Sequence, residues 1–289
     1  MDADEYIRGL AAQSLAWDDA VGWWDDLYVA AGAGLTAIPW DRGGPHRLLS
    51  AWAAERGLVP PSGSQPPAGE DSAPAAAPAE AASRGRAVVV GCGLGADAEF
   101  LAGLGWATTA FDVSPEAVRQ AGARVPGSRV EYRVADLFAL PEGFVGAFDL
   151  VLESMTVQAL PRSLRERAIA AVRSLVAPGG TLLVIAFAAE PPDPAATDAE
   201  RDRRPENGPA AGSEPAAEGG PSAGSGPGAE GEPGAGSGPG VGSEPGPPWP
   251  LTQGDVASFA AGGLVVRRIE RLDLDGMARW RAEFVRAVS

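Results

Sequence analysis

The stretch VVVGCGLGADAEFL, Val88 to Leu101, constrains the chain most. An apolar run, Arg86–Gly91, ends on the first of three glycines, Gly91, Gly93 and Gly95, and a helix-forming segment follows. A continuous apolar run of that length reads as a strand buried on both faces, as in a parallel sheet covered by helices. Glycines at such a strand end permit a tight turn and let the backbone approach a ligand closely. In open α/β sheets, ligands bind at the carboxyl ends of the strands.

The segments that follow keep the alternation. Ala96–Leu104 predicts a short helix and Ala107–Asp112 a second strand. Ser114 caps the next helix, with Pro115 at its first position. Arg129–Val134 and Phe148–Glu153 predict further strands, and Pro161–Val176 an amphipathic helix ended by Pro178-Gly179-Gly180. Thr181–Phe187 is the fifth strand. Repeated β-α units imply a mostly parallel, doubly wound Rossmann-like α/β sheet with right-handed crossovers. Leu264–Leu274 and Trp280–Val288 are joined by too short a link for a crossover, so they pair antiparallel. Ahead of the sheet, Asp4–Ala31 and Gly44–Gly57 read as helical.

Composition divides the chain. Most of the 27 prolines and most of the −15 net charge lie in residues 60–83 and 190–248. In the second stretch Pro215, Pro221, Pro227, Pro233, Pro239 and Pro245 recur every six residues among Gly, Ser and Glu. Without apolar residues to stack, such a repeat builds no solenoid, and both stretches are expected to be disordered. The expected organisation is an N-terminal helical segment (1–59), a linker (60–83), a cofactor-binding core (84–189), a low-complexity insertion (190–248) and the rest of the same domain (249–289). One Cys and one His exclude an internal disulfide and a Cys/His zinc site, and no metal is expected. The folded part has no basic surplus, so nucleic acid is not an expected partner. No run of apolar residues is long enough to span a membrane. The acidic MDADEYIRG start lacks a signal-peptide core, and the single Cys suits a reducing compartment, so a cytoplasmic location is expected.

Three acids end successive strands: Asp112, Asp136 and Glu153. Asp112 can accept two hydrogen bonds from a ribose diol, and Asp136 can hold an adenine amine. Strand-end acids also serve merely as helix caps or exposed groups; three of them beside GxGxG make a rim. A rim of carboxylates repels a diphosphate and attracts a cation. Charge therefore favours S-adenosylmethionine over a dinucleotide as cofactor.

Here the chain resembles the class I S-adenosylmethionine-dependent methyltransferases, most closely the thiopurine, thiol and halide methyltransferase group. The resemblance rests on PWDRGGP (Pro39–Pro45), preceded by WWDDLY (Trp23–Tyr28), and on VVVGCGLGAD, which carries an apolar residue where many methyltransferases keep an acid before the glycines. FDLVLESMTVQALP and GPPWPLT (Gly246–Thr252) complete it. It implies a seven-stranded sheet with an antiparallel C-terminal strand. It also implies that Trp24, Trp40, Gly91, Gly93, Gly95, Asp112, Asp136, Leu137 and Glu153 hold the cofactor. The tryptophans would cover the sulfonium, whose charge an indole face attracts; Trp23 reads as core. Met155, Thr156 and Val157 stand where the group often has aromatic residues, so a different acceptor pocket is expected. The expected function is methyl transfer to a small-molecule thiol, hydroxyl or amine. The alternatives are an NAD(P)-dependent oxidoreductase and a non-catalytic S-adenosylmethionine-binding protein. ESMT after the fourth strand does not match the element that DNA-base methylation requires. No catalytic residue is assigned: His46 reads as a helical residue near PWD, and Cys92 as a small packed side chain.

Overall fold

The structure is a computed structural model, and it describes residues 3–16, 19, 21–58, 83–190 and 247–288. The expected disorder of 60–83 and 190–248 falls almost wholly outside the described residues. Everything described belongs to one compact unit.

Seven strands form one sheet: β1 (Arg86–Val90), β2 (Ala107–Asp112), β3 (Glu131–Val134), β4 (Phe148–Ser154), β5 (Val176–Phe187), β6 (Leu264–Leu274) and β7 (Met277–Arg286). Their spatial order is β3-β2-β1-β4-β5-β7-β6. The first five are parallel, and β7 runs antiparallel between β5 and β6. The chain thus has the Rossmann-like, mostly parallel seven-stranded α/β fold expected from its sequence, with helices on both faces.

Alternate side chains of a strand face opposite sides, and β1 shows the consequence. Val88 and Val90 enter the core on one face, and Ala87 and Val89 the core on the other. The first face is covered by α6 (Arg165–Ser174) and α7 (Gln253–Ala257) through Ala168, Ile169, Val172 and Val256. The second is covered by α3 (Arg47–Glu55) and α4 (Ala96–Gly103) through Leu48, Leu49, Trp52, Leu101 and Ala102. Each fully buried Leu or Phe contributes roughly 1.5–3 kcal/mol. A third cluster joins α1 (Ala3–Ala16) and α2 (Trp23–Gly32) to Leu94 and to Ala117 of α5 (Pro115–Arg124).

Polar contacts set α3 on the C-terminal hairpin. Glu283 of β7, 3% exposed, binds the Arg56 guanidinium and accepts from Trp52 Nε1 at 3.3 Å. Arg281 bridges Glu55 (2.8 Å) and Glu270 (2.7 Å). The loop 39–46 leading into α3 is thereby held over the strand ends. Among the described residues, no helix is long and apolar enough to cross a membrane.

Several boundaries differ from expectation. The single helix expected over Asp4–Ala31 is two, because Asp19 Oδ1 accepts from the N–H groups of Val21 (3.0 Å) and Gly22 (2.8 Å), withdrawing them from a helical ladder. Pro161 is extended, a 3₁₀ turn covers Arg162–Leu164, and α6 starts only at Arg165. Pro178-Gly179-Gly180 does not end that helix. It lies inside β5, which already pairs at Val176 with Phe148 and shifts register before Leu150. The hairpin turns at Asp275-Gly276, both at positive φ (57° and 73°), so β7 starts at Met277 rather than Trp280.

Candidate functional site

A cavity of about 310 Å³ opens at the carboxyl ends of β1–β5, at the small end of the range for ligand pockets. Its floor is the glycine turn after β1. Gly91 and Gly93 have φ of 59° and 51°, a region that side chains strain. A Cβ at Gly91 would collide with the Thr156 side chain, and one at Gly93 would lie 2.9 Å from Tyr28 Oη. Gly95, which caps α4, also lines the cavity.

Asp112 lines the cavity at the end of β2 and is 8% exposed. Its Oδ2 accepts from Gly93 N (2.9 Å) and its Oδ1 from Ser114 N (3.0 Å), so it ties the glycine turn to the α5 cap. Burial pushes its carboxyl above the usual range, against the pull of these N–H donors. A carboxylate offers about four lone-pair directions, so acceptor capacity remains for a ligand diol. Asp136, after β3, lines the cavity and accepts from Phe138 N at 2.8 Å. Leu137 is buried beside it.

Glu153 lies elsewhere than the other two acids. It is fully buried beneath the cavity, outside its lining. Its Oε1 accepts from Thr156 N (2.8 Å) and Val157 N (2.9 Å), which holds the turn after β4, where Met155 has φ 67°. Its Oε2 has no hydrogen-bond partner among the described residues, and burial raises the carboxyl to about 7. The rim of three acids is therefore two in the lining and one supporting the floor.

The roof comes from α2 and the loop after it. Trp24 stacks on Trp23 at 3.8 Å and meets Trp40 edge-on at 5.5 Å. Trp23 is 3% exposed and belongs to the core of the N-terminal helices, although it also reaches the cavity wall. Trp40 Nε1 donates to Tyr28 Oη at 3.3 Å. The roof is fastened to α5: Asp25 accepts from Ser114 Oγ (2.6 Å) and Glu116 N (2.9 Å), and Asp41 pairs with Arg124 at 2.6 Å.

Beyond β1, on the β4 side, the wall contains Arg42, His46, Asp97, Ser154, Met155 and Phe187. His46 is the N-cap of α3 rather than a helical residue. Its Nδ1 accepts from Leu48 N at 3.1 Å, and its N–H donates to Asp97 Oδ1 at 2.7 Å. Burial, then the charges of Arg279, Arg42 and Arg47, lower its imidazole to about 4. Because Nδ1 is an acceptor, the proton of the neutral ring sits on Nε2. Burial, reinforced by Asp112, raises the Cys92 thiol well above its ordinary range.

The structure thus gathers Trp24, Trp40, Gly91, Gly93, Gly95, Asp112, Asp136 and Leu137 around one cavity. The sequence reading had no role for Asp97, Tyr28 or Phe187. Asp97 was visible as the acid six residues after Gly91; the approach of Tyr28 to Gly93 left no local signal.

Residues 87–180 match a known family, a methyltransferase domain. A solved structure from work on the conversion of a disulfide bond into a thioacetal group during echinomycin biosynthesis shares the fold. It has 21% identity and a TM-score of 0.54, with 92% of this chain and 94% of that chain covered. So does 1,6-didemethyltoxoflavin-N1-methyltransferase of Burkholderia thailandensis, solved with 1,6-didemethyltoxoflavin and S-adenosylhomocysteine. There identity is 14% and the TM-score 0.51, with 91% of this chain and 86% of that chain covered. The family match spans about a third of the chain, and the two solved structures share its fold.

Proposed function

We propose that the protein is an S-adenosylmethionine-dependent methyltransferase acting on a small-molecule acceptor. The observation that carries the reading is the one cavity that joins the glycine turn, Asp112, Asp136 and the tryptophan pair. The residues fit the cofactor: a Cβ at Gly93 would enter the space beside Tyr28 Oη, and the lining near β2 and β3 offers carboxylate acceptors. Asp112 would accept from the ribose diol, Asp136 from the adenine amine, and Leu137 would pack against the adenine. Trp24 and Trp40 would cover the sulfonium. When bound, the cofactor supplies a methyl group already activated for in-line displacement.

The chain then has to align a nucleophile with that methyl group and exclude water. The tryptophan roof, Phe187 and Pro248 give an apolar enclosure for the purpose. His46 does not act as a base near neutral pH, because its acceptor nitrogen is taken by Leu48 N–H and its imidazole lies near 4. Its Nε2 is buried and has no hydrogen-bond partner among the described residues. Cys92 keeps its proton. An acceptor that is nucleophilic without assistance fits this wall best. Calorimetric titration with S-adenosylmethionine, S-adenosylhomocysteine, NAD and NADP tests the reading: the first two should bind, and binding of a dinucleotide alone would refute it.

A further inference from the structure

Beyond β4 the cavity wall is Phe187, at the end of β5, with Pro247 and Pro248. Directly across the ladder from Phe187 stands Arg279 of β7. Its guanidinium lies over the Phe187 ring, 4.7 Å from the centroid, and the residue is fully buried. Nη1 donates to two carbonyls of the hairpin turn, Leu274 O at 2.6 Å and Met277 O at 3.0 Å. Nε and Nη2 are buried without a hydrogen-bond partner, and no carboxylate pairs with Arg279 among the described residues. Burying a cation without a counter-charge is costly. Alternate residues of a strand share a face, and the next two on this face of β7 show the ordinary solution. Arg281 is held by Glu55 and Glu270, and Glu283 by Arg56.

The charge of Arg279 is reinforced by its surroundings. Arg279, Arg42 and Arg47 all act on His46, the N-cap of α3. The first turn of α3 contains no acid, so the positive end of its dipole adds to theirs. The acids nearby are engaged. Asp275 pairs with Arg47 at 2.9 Å, Asp273 accepts from Gly276 N at 3.1 Å, and Asp97 accepts from His46 N at 2.7 Å. Two cationic groups are left at this end of the cavity. One is Arg279, behind Phe187. The other is Arg42, the one arginine among the described lining residues, which is exposed and makes no ion pair among the described residues. A buried charge acts across several ångströms, because the protein around it screens poorly.

We propose that the methyl acceptor is a carboxylate-bearing small molecule, seated with its anionic group between Arg42 and the Phe187–Arg279 pair. Arg42 donates to the carboxylate, whose two oxygens match the guanidinium fork. Arg279 acts on the same group through its charge, across the Phe187 ring, and Phe187 packs against the apolar body of the acceptor. The inference rests on the cofactor reading above and narrows its acceptor from any small molecule to an anionic one.

The test titrates the full chain, saturated with S-adenosylhomocysteine, with 3-mercaptobenzoate and with 3-mercaptobenzamide, which match in size and differ by one charge. The acid should bind the wild type about tenfold or more tighter than the amide. Arg279→Met should lower that ratio by about threefold or more, and so should Arg42→Gln. Arg279→Met exchanges an unpaired buried charge for an apolar chain, a change that is often neutral or stabilising. If Arg279 serves only to close the hairpin turn, this variant melts earlier and its ratio stays that of the wild type, which would overturn the proposal. Should the variant fail to fold, Arg42→Gln, on an exposed loop, decides in its place. An amide bound as tightly as the acid, or neither bound at millimolar concentration by a chain that holds S-adenosylhomocysteine, would overturn the proposal alone. A wild-type chain that does not bind S-adenosylhomocysteine refutes the cofactor reading, and the acceptor assignment with it.

Discussion

Replacing Glu153 by Gln should change how stability depends on pH, and the effect can be worked from two groups. Burial raises the Glu153 carboxyl from 4.5 to about 7. Its folded state therefore binds the proton more tightly than its unfolded state. The stabilisation from protonation is complete below about pH 4.5 and is lost as pH rises through about 7. At about 1.36 kcal/mol per pKa unit, the loss is about 3 kcal/mol. His46 has the opposite sign. Its imidazole falls from 6.5 to about 4, so the folded state resists protonation and stability rises with pH across that interval. The magnitude is again about 3 kcal/mol. Between about pH 4.5 and 6.5 the two slopes oppose each other, and only Glu153 contributes between about 6.5 and 7. Urea unfolding across this range, extrapolated linearly, reads the balance. Glu153→Gln keeps an oxygen for the Thr156 and Val157 N–H groups but cannot ionise. Relative to wild type it should gain about 3 kcal/mol on going from about pH 5 to pH 8. A difference between the two proteins that stays constant with pH would refute the burial-driven shift. Asp97 and Asp112, raised in the same direction, are common to both proteins and cancel in the difference.

Asp112→Ala should weaken S-adenosylhomocysteine at least tenfold by calorimetry, about 1.4 kcal/mol, through loss of paired ribose bonds. It should also lower the melting temperature, since the Gly93 and Ser114 N–H groups lose their acceptor. Gly93→Ala forces a Cβ toward Tyr28 Oη at positive φ. It should abolish detectable cofactor binding while circular dichroism keeps the α/β signature. Glu283→Ala strands Arg56 and the Trp52 N–H beside a buried site. A loss of about 3 kcal/mol in urea unfolding is expected, and a loss below about 1 kcal/mol would mean that α3 is held by its apolar face alone.

Most of the sheet was legible because β1, β2 and β4 are local signals: apolar runs bounded by Gly, Asp and Pro. The Ser114-Pro115 cap was legible for the same reason, and Ser114 Oγ does accept from Ala117 N at 2.9 Å. Pro178-Gly179-Gly180 misled because its composition reads as a turn, whereas the pairing of Val176 with Phe148, fixed by tertiary contact, draws it into β5. The Asp275-Gly276 hairpin turn was written in the chain and went unused. Site residues on the strand ends could be read from spacing. Glu153 could be placed at the strand end, but whether it faces the cavity or the turn beneath depends on backbone geometry at Met155. Asp97 stood in the glycine stretch without a role, and its place beside Arg42 on the cavity wall comes from residues far apart in sequence.

The position of β7 has a consequence for how the polypeptide can be divided. Thr181–Phe187 of β5 pairs residue by residue with Arg279–Val285 of β7, and Arg165 binds Asp255 at 2.9 Å and the Trp249 carbonyl at 2.8 Å. The two ends flanking residues 191–246 are thus joined by the sheet itself as well as by the chain between them. Cleaved anywhere in that stretch, the protein becomes a two-fragment system. Its smaller piece supplies Pro247 and Pro248 to the cavity wall and the clamp on α3. Cofactor binding by separately made fragments should then depend on their concentration, as it does in any reversible dimer.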